Sequence, residues 1–97
     1  MYGTIARLHP IAGRLDELLA MGVSMREAPM AGFHASYLFR PDHNPYERET
    51  VFLVAVFDDA ETYRANANSP EQDARYRELR ALLEDDPEWM DGRFEGG

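Results

Sequence analysis

The 97 residues contain no cysteine, which excludes disulfides, thiol nucleophiles and thiolate metal sites and fits a reducing compartment. An excess of positive charge is also missing: ten basic residues face eighteen acidic ones, for a net charge of −8. That balance repels nucleic acid and anionic lipid, and the arginines are scattered among acids with no basic patch to grip a phosphate backbone. No apolar run approaches the ~20 residues needed to cross a bilayer. Residues 1–25 show no basic stretch leading into an apolar core. The expected address is cytoplasmic, with neither nucleic acid nor membrane as partner. Histidine is scarce, and His9, His34 and His43 form no i,i+4 pair or histidine–carboxylate motif, so no metal site is expected. Ser-His-Asp spacing, glycine-rich phosphate loops and nucleophile elbows are absent. No internal repeat, low-complexity segment or linker divides the chain, and residues 1–97 read as a single domain.

The strongest positive signal is the run from Thr50 to Phe57, eight residues rich in β-branched and aromatic types with charge on either side. That composition predicts a strand. Alternation puts Val51, Leu53, Ala55 and Phe57 on one face and Phe52, Val54 and Val56 on the other. Both faces are apolar, and burying the six large side chains contributes roughly 9–18 kcal/mol before entropy is counted. Such a strand needs a cover on each side.

Around it the chain alternates in type. Residues 2–9 read as a first strand that Pro10 ends, because proline has no amide hydrogen to donate. Leu15, Leu18, Leu19, Gly22 and Val23 recur at helical spacing, predicting a helix over about 12–27 that ends before Pro29. Ala31-Gly32 turns into a second strand, 33–40, with Phe33, Ala35, Tyr37 and Phe39 on one face and His34, Ser36, Leu38 and Arg40 on the other. The polar segment 41–49 with its two prolines is the hairpin connection to the central strand. Asp58-Asp59 caps a short helix broken at Asn66-Ala67-Asn68. Ser69-Pro70-Glu71-Gln72 starts another that runs to about Glu84 and buries Tyr76, Leu79, Leu82 and Leu83. Residues 88–95 form a last strand carrying Trp89 and Met90.

The order β-α-β-β-α-β, with its second helical segment split, is that of an α+β ferredoxin-like plait: a four-stranded antiparallel sheet with helices on one face. The other face then has nothing within the chain to cover it. A second copy supplies the cover, so a homodimer through the sheet face is expected.

Three stretches in sequence carry a likeness: Ala31-Gly32-Phe33 opening a strand that ends in Arg40; the apolar strand running into Phe57-Asp58-Asp59-Ala60-Glu61-Thr62-Tyr63; and the helix opened by Ser69-Pro70-Glu71. From Tyr2 to Phe94 the chain resembles the antibiotic biosynthesis monooxygenase-type members of the dimeric α/β-barrel superfamily. The resemblance implies a homodimeric barrel with a pocket in each subunit between sheet and helices. It implies either a cofactor-free monooxygenase acting on a small aromatic, polyketide-type phenol or a non-catalytic ligand-binding or stress-associated barrel. A haem-degrading relative is a third possibility. The haem-degrading branch is similar to a pattern of tryptophan before a short loop and histidine in the next helix, where this chain has Asn66 and Tyr76. Both departures count against haem.

The residue types needed for the oxygenase reading are present. His34 shares a strand face with Ser36 and Arg40; facing the pocket it would orient or deprotonate a phenol, and facing the dimer barrel it is an interface residue. Asn66 and Tyr76 would orient the substrate, making His34, Tyr76 and Asn66 the candidate catalytic set. Tyr37, Tyr63, Trp89 and Arg40 are the candidate substrate-binding set. The competing reading packs Tyr63 and Tyr76 onto the sheet at helical spacing and gives Asn66 to the backbone at a helix end.

Overall fold

Among the described residues seven elements follow one another: β1 (Tyr2–Leu8), α1 (Leu15–Glu27), β2 (Phe33–Phe39), β3 (Val51–Phe57), α2 (Ala60–Ala67), α3 (Pro70–Ala81) and β4 (Glu88–Arg93). The computed structural model describes residues 1–27 and 30–96. The expected role of Pro29 in ending the first helix lies outside those residues. The four strands form one antiparallel sheet in the order β2-β3-β1-β4, the arrangement of a ferredoxin-like plait. The two central strands, β3 and β1, are the two richest in buried residues.

Register decides which side chains meet the helices. Residues directly opposite one another in an antiparallel pair project to the same side. Thr4 stands opposite Ala55, Ala6 opposite Leu53 and Leu8 opposite Val51, and these six form the floor beneath the helices. Leu18 of α1, Leu79 of α3, and Leu82 and Leu83 beyond it close over that floor. Leu8, Leu18 and Val51 are almost wholly sealed, each contributing about 1.5–3 kcal/mol relative to exposure.

Three local features depart from simple periodicity. The first helix begins at Leu15 and not near residue 12, because Gly13 sits at φ 83°, a left-handed conformation that no right-handed helix includes. The last helix ends at Ala81 and not at Glu84, since the next residues turn to pair with the end of β1. There the Ile11 amide donates to the Leu82 carbonyl at 2.9 Å and the Glu84 amide to the His9 carbonyl at 2.9 Å. Pro10 thus takes part in an isolated bridge to Leu83 in spite of lacking an amide hydrogen.

The third departure bears on the site. The β2–β3 register shifts between Phe33, opposite Phe57, and Ala35, opposite Val56. One extra residue, His34, bulges out of the ladder, and the alternation restarts on the opposite phase. Phe33 therefore shares the helix-side face with Ser36 and Leu38, which corrects its expected grouping with Ala35, Tyr37 and Phe39. Gly32, just before the bulge, has φ 73°, and a Cβ there would lie 2.5 Å from the Cβ of Thr62. Only glycine fits that turn.

The sheet's far side carries Ile5, Tyr37, Phe39, Phe52, Val54 and Met90, and Tyr37, Phe39 and Met90 are 62%, 57% and 66% exposed. Among the described residues no helix is long and apolar enough to cross a membrane.

Candidate functional site

Between the sheet and the three helices lies a cavity of about 540 Å³ that opens to solvent. Its floor is Thr4, Leu53, Ala55 and Phe57, and α1 supplies Leu18, Met21 and Gly22. The smallness of Gly22 matters: a Cβ there would come within 3.2 Å of Leu38, so the helix lies close against β2. The polar side of the cavity is built at the junction of α2 and α3.

That junction follows from local sequence. Ser69 caps α3: its Oγ accepts from the Gln72 amide at 3.1 Å and donates to the Asn66 carbonyl at 2.7 Å, with Pro70 in the first turn. The cap ties the end of α2 to the start of α3 and brings Asn66 beside Gln72. Asn66 Nδ2 donates to Gln72 Oε1 at 3.3 Å, and Arg75 Nε donates to the same oxygen at 3.2 Å. Arg75 Nη2 donates to Asn66 Oδ1 at 3.2 Å. Both amide oxygens thus point at the guanidinium. Met30 closes the group, its sulfur 3.5 Å from Arg75 Nη2.

A second polar group stands across the cavity. The Tyr63 hydroxyl donates to Asp91 Oδ1 at 2.8 Å, and its ring packs at 5.4 Å on Tyr2 and 5.6 Å on Phe57. Burial, together with the Asp91 carboxylate, pushes the Tyr63 phenol up to about 12. It is therefore a neutral hydrogen-bond donor at any ordinary pH. The Tyr76 and Trp89 rings lie 6.3 Å apart and form an aromatic wall, with Trp89 still 44% exposed.

The cavity brings together four of the seven residues expected at the site: Asn66, Tyr76, Tyr63 and Trp89. It does not include the other three. His34 is exposed at the bulge, Arg40 is exposed beyond the end of β2, and Tyr37 stands opposite Val54 on the far side of the sheet. The physical reason is the β2 phase: Leu38 and Ser36 face the helices, so Tyr37 cannot. Sequence reasoning missed Gln72 and Arg75. Their signal was present, since Gln72, Arg75, Tyr76 and Leu79 recur at i, i+3, i+4 and i+7 on one helical stripe. Asn66 serves both proposed masters, its carbonyl the backbone turn and its side chain the cavity.

The remaining histidine with a defined setting is His9, which is buried at the end of β1 with Nδ1 3.1 Å from the Thr50 hydroxyl. Nearby, Arg7 is paired with Glu88 and lies 4.9 Å over the Tyr46 ring, and Arg48 is paired with Glu84 and Asp85. Among the described residues no group of three histidines or carboxylates is placed to hold a metal ion.

The sequence matches no family model, and none of the curated proteins matches it. Its fold is nonetheless that of the antibiotic biosynthesis monooxygenase-type proteins. A candidate monooxygenase of that kind from Deinococcus radiodurans superposes with a TM-score of 0.77 at 12% identity, over 100% of this chain and 95% of its own. SnoaB, a cofactor-independent oxygenase from Streptomyces nogalater whose structure is of an asparagine-to-alanine variant, gives 0.73 at 16% identity, over 99% and 94%. A conserved protein from Methanosarcina mazei gives 0.79 at 14% identity, over 97% and 92%. At such identities the likeness is one of fold.

Proposed function

We propose that this protein is a cofactor-independent monooxygenase that oxidises a small aromatic, polyketide-type phenol or enol in the cavity between sheet and helices. The observation that supports it best is the composition of that cavity: an apolar floor, the Tyr76–Trp89 wall, and the polar side chains of Asn66, Arg75 and Tyr63 in its lining. Ligand cavities usually measure about 300–1,000 Å³, and at about 540 Å³ this one has room for a fused aromatic. A cavity filled by its own tyrosines would have favoured a non-catalytic barrel.

The chemistry asks for an oxyanion to be stabilised. The second N–H of the Asn66 amide favours the ionised form of a phenol or enol, whose proton leaves to water at the open side. The resulting carbanion is electron-rich enough to reduce dioxygen. For a substrate methylene the balance closes: the CH2 carbon and O2 give a carbonyl and water, so one oxygen atom is retained. The other leaves with the two substrate hydrogens. Tyr76 and Trp89 hold the ring plane. Oxygen uptake with anthrone tests this, with Asn66→Ala and Tyr76→Phe as comparisons; no uptake above the spontaneous rate would end the proposal.

The working form in this proposal is a homodimer. The far face of the sheet, with Tyr37, Phe39 and Met90 mostly exposed around Ile5, Phe52 and Val54, is the surface for a second copy.

A further inference from the structure

Four described arginines are half-buried: Arg7, Arg14, Arg75 and Arg80. Three of them are paired with a carboxylate, Arg7 with Glu88, Arg14 with Glu17 and Arg80 with Asp86. Arg75, the one that lines the cavity, has no carboxylate within 4.0 Å among the described residues. The acid nearest to it along its own helix, Asp73, is held by Arg77 at 2.7 Å. Glu78, also on the cavity wall, is exposed and makes no ion pair among the described residues.

A cation set against apolar surface is costly to desolvate, and neutral amide oxygens offset only part of that cost. The amides do fix its position. Gln72 Oε1 takes Nε, and Asn66 Oδ1 with the weakly accepting Met30 sulfur takes Nη2. The guanidinium has five N–H groups, and the two on Nη1 have no protein partner among the described residues. Among the described residues no atom of this side chain is one of the sealed, unpartnered polar atoms. An oriented, positioned cation with free donors at the edge of an aromatic-walled cavity is a receptor for a carboxylate.

We propose that the substrate of this site is an aromatic carboxylate, whose carboxylate docks on Arg75 while its rings lie against Tyr76 and Trp89. This rests on the reading of the cavity as the substrate site, and it adds the charge of the ligand. Arg75 is a binding and specificity residue that distinguishes acids from neutral aromatics of the same shape. Asn66 and Gln72 act through it by holding the guanidinium in place.

The test is calorimetric titration at neutral pH with 2-naphthoate and 2-naphthamide, two ligands of nearly equal shape that differ in charge. The wild-type chain is expected to bind the carboxylate at least tenfold more tightly than the amide. Arg75→Gln is expected to abolish that preference. Equal wild-type affinities, or a preference that persists in Arg75→Gln, would overturn the inference, and the wild-type comparison decides alone should that variant not fold. A tenfold preference without oxygen uptake on any phenol would keep the carboxylate site and remove the oxygenase. Oxygen uptake with neutral anthrones and equal binding of acid and amide would do the reverse.

Discussion

Tyr63 is the residue whose ionisation is most strongly tied to the fold. Its phenol titrates near 12 in the folded chain against 10.0 ordinarily, because burial and the Asp91 carboxylate disfavour the phenolate. Below pH 10 both folded and unfolded forms keep the proton and the contribution is whole. As pH rises from there, the unfolded chain loses the proton first, and stability is drained until the folded form ionises too. The ten basic residues are all arginine, so no lysine titrates alongside Tyr63 in this window. Melting temperatures between pH 9.5 and 11.5 should therefore fall more steeply for the wild type than for Tyr63→Phe. The variant should also melt lower at pH 8, where Asp91 has lost its donor. Parallel slopes would mean that the Tyr63–Asp91 contact does not control this ionisation.

At the scale of elements, the α2–α3 junction does most to shape the cavity. Removing the Ser69 cap leaves the Gln72 amide without its acceptor and frees the Asn66 carbonyl from the hydroxyl that holds it. Ser69→Ala should cost about 1 kcal/mol of stability, read from the urea midpoint, and an unchanged midpoint would show that the cap is dispensable. This junction was legible in the sequence, since serine, proline and a glutamine three residues on have a single local meaning. The central strand was legible too, because Val51 to Phe57 cannot leave either face in water. What was not legible was the bulge at His34. Nothing local marks it, and one extra residue reversed the phase of Phe33 relative to Tyr37. His34 was expected near the chemistry because alternation put it on a face with Ser36 and Arg40, and Tyr37 because it offers a ring and a hydroxyl. Arg75 was overlooked for the opposite reason: an arginine on a charged helix reads as solvated, and only the neighbouring helix end, with Asn66, draws it to the cavity.

For the whole molecule, one sheet has to satisfy two apolar faces with helices enough for one. The helix side gives the cavity its floor, and the far side is the surface proposed for a second copy. Sedimentation equilibrium at micromolar concentration should return twice the mass of one chain, and Val54→Asp, placing a charge in the middle of that face, should return a single chain mass. A folded wild type sedimenting as one chain would remove the dimer. The proposed activity, however, requires the cavity to be a place where an aromatic meets dioxygen. Oxygen-electrode measurement with anthrone tests that most directly. The expected result is saturable uptake of one O2 per substrate, well above the spontaneous rate, falling roughly 100–1,000-fold in Asn66→Ala as an oxyanion donor is lost. Uptake indistinguishable from buffer, or a rate that Asn66→Ala leaves intact, would contradict it.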